Sequence, residues 1–155
     1  MKVWRLSKAK YAESAFEGVG AKKVGGRWNT PGQPIVYTSE HLSLAVLELL
    51  VHVIADDVPP DIVSVWAEID DDLEIQRLEP EDLPEGWRRV TGHAGLKGFG
   101  DRWQREQSAV AIAVPSVVVP EEYNILLNPE HPEFAAKVTL GEARPFSFDG
   151  RLFAR

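Results

Sequence analysis

Three polar residues stand where apolar ones would pack better or where the chain turns: Arg27, Glu48 and Ser108. Arg27 follows Gly25-Gly26 and precedes Trp28-Asn29-Thr30-Pro31-Gly32. Arginine is always charged and offers a planar fork suited to phosphate or carboxylate oxygens. Arg5, beside Trp4 in the first apolar stretch, offers the same chemistry. Glu48 lies among Leu47, Leu49 and Leu50, so it is either a solvated stripe or a carboxylate aimed into a cleft. Ser108 opens the most apolar run of the chain, Ala109 to Val114. Its plain reading is a turn serine bonded to backbone, and its functional reading is a hydroxyl that bonds a ligand. Tyr37 alternates with Val36 in the segment after Arg27 and is core or pocket wall. The set suits an anionic, sugar-bearing ligand.

Other chemistries fit less well. His41, Glu48 and His52 share one helical side, but the His-Glu-x-x-His pattern of a zinc site is absent, so no metal is expected. No Gly-x-Ser-x-Gly surrounds Ser108, against a serine hydrolase. The glycines before Arg27 match neither the Walker pattern nor the dinucleotide fingerprint; they are expected to let backbone approach a ligand closely. There is no cysteine, which excludes disulfides, thiolate zinc and a thiol nucleophile.

These residues need a scaffold. The 155 residues are 44% hydrophobic and 26% charged, as expected of one globular domain spanning 1–155. A net charge of -7 argues against direct nucleic-acid binding and leaves room for a basic partner. The N-terminus lacks the apolar core of a signal peptide, and no run is long enough to span a membrane, so a cytoplasmic location is expected. Strands are expected near 2–7, 35–38, 62–69, 73–78, 109–114, 123–127, 138–140 and 145–148. Helices are expected over 8–17, from a Ser39 cap to about Ile54, over 101–107, and from Pro132. Residues 18–26 and the four-glycine stretch 92–100 read as loops. Strands and helices do not alternate regularly, so the fold class is α+β.

In order along the chain, the segments resemble the RES-domain toxins of bacterial toxin–antitoxin pairs, named for an Arg, a Glu and a Ser. Trp4-Arg5-Leu6, Gly25 to Asn29, Val36 to Ser39, and Leu47-Glu48-Leu49-Leu50-Val51-His52 are similar to its early blocks. Ser108-Ala109-Val110, Val114-Pro115-Ser116, Val119 to Asn124, Leu126 to Pro132 and Pro145 to Phe153 are similar to its later ones. Gly150 departs from an expected proline, and 92–100 matches no block.

The resemblance implies an ADP-ribosyltransferase-like fold, with a split central sheet, that cleaves the nicotinamide–ribose bond of NAD. NAD is then the substrate, with no prosthetic group. The acceptor is water or phosphate, or a target protein in an ADP-ribosyltransferase. A fold that binds NAD without turnover is the non-enzymatic alternative. The partner implied is an Xre-type helix-turn-helix antitoxin, and a homodimer within that assembly is left open. By the same resemblance Glu48, Arg27, Ser108 and Tyr37 are the catalytic set. Arg5, Arg27, Trp28, Tyr37 and Ser108 contact NAD, with Tyr37 stacked on nicotinamide and Trp28 walling the pocket.

Overall fold

Among the described residues eight strands pair into one sheet, the longer ones rich in β-branched and aliphatic residues. In the computed structural model, which describes residues 1–52, 59–90, 92 and 94–153, these are β1 (Lys2–Lys8), β2 (Val36–Ser39), β3 (Ile62–Ile69), β4 (Gln76–Arg77), β5 (Ala111–Pro115), β6 (Tyr123–Leu127), β7 (Val138–Leu140) and β8 (Arg144–Pro145). The order across the sheet is β4-β5-β6-β2-β1-β3-β7, with β8 also on β3. Every pairing is antiparallel except β4 with β5. The expected α+β class holds.

β1 and β3 pair over seven residues, from Lys2↔Glu68 to Lys8↔Ile62. β1 and β2 meet at a single pair, Trp4↔Ser39. The sheet is therefore nearly split in its middle.

Register sorts the side chains onto two faces. Val36, Leu127 and Ala111 align across β2, β6 and β5. They join Val3, Val63, Val65, Ala67, Ile69 and Ile125 in one buried cluster, closed by Phe16. The next residues along, Leu126 and Ile112, enter a second cluster with Trp28, Trp87, Leu96 and Trp103.

Among the described residues four α-helices flank the sheet: α1 (Val19–Val24), α2 (Leu42–Leu50), α3 (Ala94–Arg105) and α4 (Phe134–Lys137). α2 packs on β1 and β2 and buries Leu44 and Ala45. α3 buries Leu96, Gly100, Trp103 and Gln104, a helical spacing, and Trp103 carries it into the second cluster. Among the described residues, no helix is long and apolar enough to cross a membrane.

Several expected elements differ. Residues 8–17 form a 3-10 turn at Ala9–Tyr11 and then turns, because Ala15 and Phe16 must reach the core. The glycine-rich loop 18–26 contains α1, entered from Gly18 at φ +69° and left through Gly25 at φ +78°. Ser39 ends β2 instead of capping α2; His41 holds the cap position. α2 ends at Leu50, and the expected extension to Ile54 runs outside the described residues. The 73–78 strand shrinks to β4, and 145–148 to β8.

The largest difference is α3, which starts at Ala94 and absorbs the stretch 94–100 that its glycines mark as loop. Gly100 sits against the Trp28 backbone: a Cβ there would lie 1.8 Å from the Trp28 carbonyl oxygen. That glycine is a packing requirement, not a turn signal.

Candidate active site

The loop that presents Arg27 is built around Asn29, a fully buried side chain. Its Nδ2 donates to the carbonyls of Ala21, Thr30 and Gln33 at 2.9, 3.0 and 2.9 Å. Its Oδ1 accepts from the Tyr37 hydroxyl at 2.7 Å. That hydroxyl in turn accepts the Trp28 N–H at 2.9 Å. Thr30 fastens the loop to α3 through two 2.8 Å bonds to Asp101. Gly26 is required here because a Cβ would approach the Tyr37 oxygen to 2.5 Å. The glycine pair thus serves the protein's own packing around Tyr37 and Asn29.

Arg27 leaves this loop half-buried, and its Nη1 donates to the carbonyls of Trp87 (3.1 Å) and Arg89 (2.9 Å). Burial lowers its pKa, while the charges of Glu48 and Tyr37 pull the other way. Tyr37 and Glu48 are therefore each within electrostatic reach of Arg27. Burial raises the Tyr37 pKa, with Asp101 adding to the rise and the Trp28 N–H and Arg27 opposing it.

Glu48 projects from α2 to the end of β5. Its Oε1 accepts from Ser116 Oγ at 2.8 Å and from Asn124 Nδ2 at 2.5 Å. Its Oε2 accepts no hydrogen bond among the described residues. Ser116 is fully buried, and its Oγ also accepts the N–H groups of Val118 and Val119, both at 3.0 Å. Asn124 lies opposite Ser39 in the β2–β6 register, and Ser39 Oγ donates to its Oδ1 at 2.7 Å.

Two of the expected site residues lie elsewhere. Ser108 is exposed after α3, its N–H on the Trp103 carbonyl at 3.3 Å. Seven residues of mostly extended chain lie between it and Ser116, roughly 25 Å at the strand rise. The hydroxyl beside Glu48 belongs to Ser116, at the opposite end of the same strand. Trp28 does not wall a pocket; it is 2% exposed and packs edge-on to Phe99 at 6.0 Å.

Arg5 sits one residue past the single β1–β2 bridge. Burial lowers its pKa, and among the described residues its guanidinium makes no hydrogen bond or ion pair. A mostly buried cation without a counter-charge is suited to an anion. His41 is exposed, with Nδ1 3.6 Å from Glu122 Oε2, and His52 is exposed beyond the end of α2. No three metal-ligating side chains converge among the described residues.

Asn29, Ser39, Ser116 and Asn124 are the site residues that sequence reasoning missed. Asn124 did carry a signal, being the one amide inside the apolar run Tyr123–Leu127.

The arrangement presents one carboxylate, anchored through one oxygen and open at the other, within electrostatic reach of the Arg27 guanidinium. It can stabilise positive charge on a ligand whose anionic part is gripped nearby.

Comparisons with known proteins identify the family. The RES domain family model matches residues 2–149. The chain is 36% identical to Toxin Res of Photorhabdus laumondii, over 98% of this chain and 97% of that protein. It is 34% identical to the Prs ADP-ribosylating toxin of a Sphingobium strain, over 98% and 96% of the two chains. Among solved structures, the M. tuberculosis MbcT–MbcA toxin–antitoxin complex superposes with a TM-score of 0.75 at 18% identity, covering 98% of this chain and 86% of that one, a likeness of fold. A family model that spans nearly the whole chain, with relatives matched end to end, places this protein in the RES domain family.

Proposed function

We propose that the chain is the toxin of a toxin–antitoxin pair and that it breaks the nicotinamide–ribose bond of NAD. The observation that carries the reading is Glu48, held through Oε1 by Ser116 and Asn124 with Oε2 open, in electrostatic reach of Arg27. Nicotinamide leaves as a neutral base with the electrons of the broken C–N bond. Positive charge then develops on the ribose ring. A carboxylate beside it, Glu48 Oε2, stabilises that charge more in the transition state than in the ground state. Arg5 and the free nitrogens of Arg27 grip the pyrophosphate. Ser116 takes the role expected of Ser108, as a positioning residue for Glu48.

The partner in this reading is a basic, DNA-binding antitoxin of helix-turn-helix type. The net charge of -7 supports attraction to such a protein. The toxin names of the relatives support an antitoxin as the partner.

The test is incubation of purified protein with NAD, following free nicotinamide, beside Glu48→Gln. Release that falls by about a hundredfold or more in the variant supports the reading. Undiminished release in the variant removes Glu48 from the chemistry. Intact NAD with saturable binding points to a binding module.

A second reading is transfer of ADP-ribose to a protein, favoured by the name of the Sphingobium relative. Label from NAD that becomes covalently attached to protein, instead of appearing as free product, selects it.

A further inference from the structure

Two donors hold Glu48, and the hydrogen bonds around them fix their polarity. Ser116 Oγ already accepts two backbone N–H groups, from Val118 and Val119. Its single proton is left for Glu48 Oε1. Asn124 could in principle turn either end of its amide toward Glu48. A carboxylate only accepts, so nitrogen must face it. With the amide so set by Glu48, the Ser39 hydroxyl, buried in β2, donates to the oxygen at the other end and holds it there. The direct Ser39↔Asn124 pairing of β2 and β6 places the two side chains together.

We propose that Ser39 and Asn124 are positioning residues: a one-way donor chain, Ser39 to Asn124 to Glu48 Oε1, that keeps Oε2 as the oxygen presented to the ligand. The inference rests on the reading of Glu48 given above. Both donors converge on one oxygen, so the carboxylate is oriented as well as held. Removing either link frees the carboxyl group to rotate, which costs turnover and leaves ligand grip intact.

The test uses the full chain with NAD and separates kcat from KM over a pH series. In Asn124→Asp two carboxylates face each other at neutral pH with no donor between them. kcat falls about a hundredfold with KM nearly unchanged. As the pH is lowered toward 5, the new carboxyl group takes a proton and can donate again, so the ratio to wild type recovers. Ser39→Ala loses about tenfold in kcat, and Ser39→Thr, which keeps the hydroxyl, restores it.

A second readout needs no turnover. In 15N-labelled protein the Asn124 side-chain amide resonance should shift in both Ser39→Ala and Glu48→Gln. Wild-type kcat in Asn124→Asp, a deficit equal at every pH, or an amide resonance that ignores both substitutions overturns the proposal. If the wild-type protein leaves NAD intact, the NAD reading falls, while the amide resonances still decide whether the donor chain exists.

Discussion

Gly100 of α3 lies directly against the carbonyl of Trp28, so closely that an added Cβ would stand 1.8 Å from that oxygen. The contact joins the helix to the loop that presents Arg27. It also sets two glycines of one helix apart, since Gly98 has nothing within 4 Å of a built Cβ. Gly98→Ala should stabilise the fold by up to about 1 kcal/mol through helix propensity. Gly100→Ala should destabilise it by about 1–3 kcal/mol, because backbone must move. Urea unfolding of the two variants measures the opposite signs.

Ser116 and Ser108 bracket one strand but have different surroundings. Ser116→Ala removes a donor from Glu48 and strands the N–H groups of Val118 and Val119. A loss of about 1–3 kcal/mol in stability is expected, with nicotinamide release down roughly tenfold or more. Ser108→Ala should stay within about 0.5 kcal/mol of wild type and keep full activity. Parallel unfolding and turnover assays separate the pair, and a silent Ser116→Ala would undo the site as drawn.

Arg27 spends one nitrogen on the carbonyls of Trp87 and Arg89. Arg27→Ala should therefore cost turnover and also loosen residues 84–90. Hydrogen exchange across that segment reports the second effect, and saturation kinetics with NAD the first. Protection that stays at the wild-type level would show that those two bonds do not hold the loop.

Tyr37 gives a pH dependence with a definite sign. Its folded pKa is raised, chiefly by burial, above the value of about 10 for a free tyrosine. The folded state then favours the protonated phenol. Its contribution is fully present below about pH 10 and is lost as the pH rises above that. Tyr37→Phe should cost about 1–3 kcal/mol at pH 7, since the Trp28 N–H and Asn29 Oδ1 lose their partner. That cost should shrink between pH 9 and 11. Denaturation curves of both proteins over this range check it; a cost that grows with pH would contradict the assignment.

The strands were legible wherever apolar character had a local pattern. β3 matches the expected 62–69, and β6 the expected 123–127, because their neighbours in the sheet demand an apolar surface. Glu48 was legible as an anomaly within α2, and Arg27 by its place after a glycine pair. What escaped the sequence depends on long-range contact. The glycines of α3 look like loop until Trp28 is seen beside Gly100. Ser108 and Ser116 flank the same apolar run almost symmetrically, and only the position of α2 decides which end meets Glu48. Ser39 resembles a helix cap until the register sets it against Asn124. Tyr37 offers a hydroxyl, but Asn29 and Trp28 have already taken it.

The Trp4↔Ser39 bridge has a mechanical consequence. Seven residue pairs weld β1 to β3, and four weld β2 to β6, yet one pair joins these two plates. Such a seam resists bending far less than the plates themselves. Ser39 is both the stitch in that seam and the outermost donor of the Glu48 chain. Ser39 and Asn124 both belong to the β2–β6 plate, so the donor chain rides as one body with that plate when the seam bends.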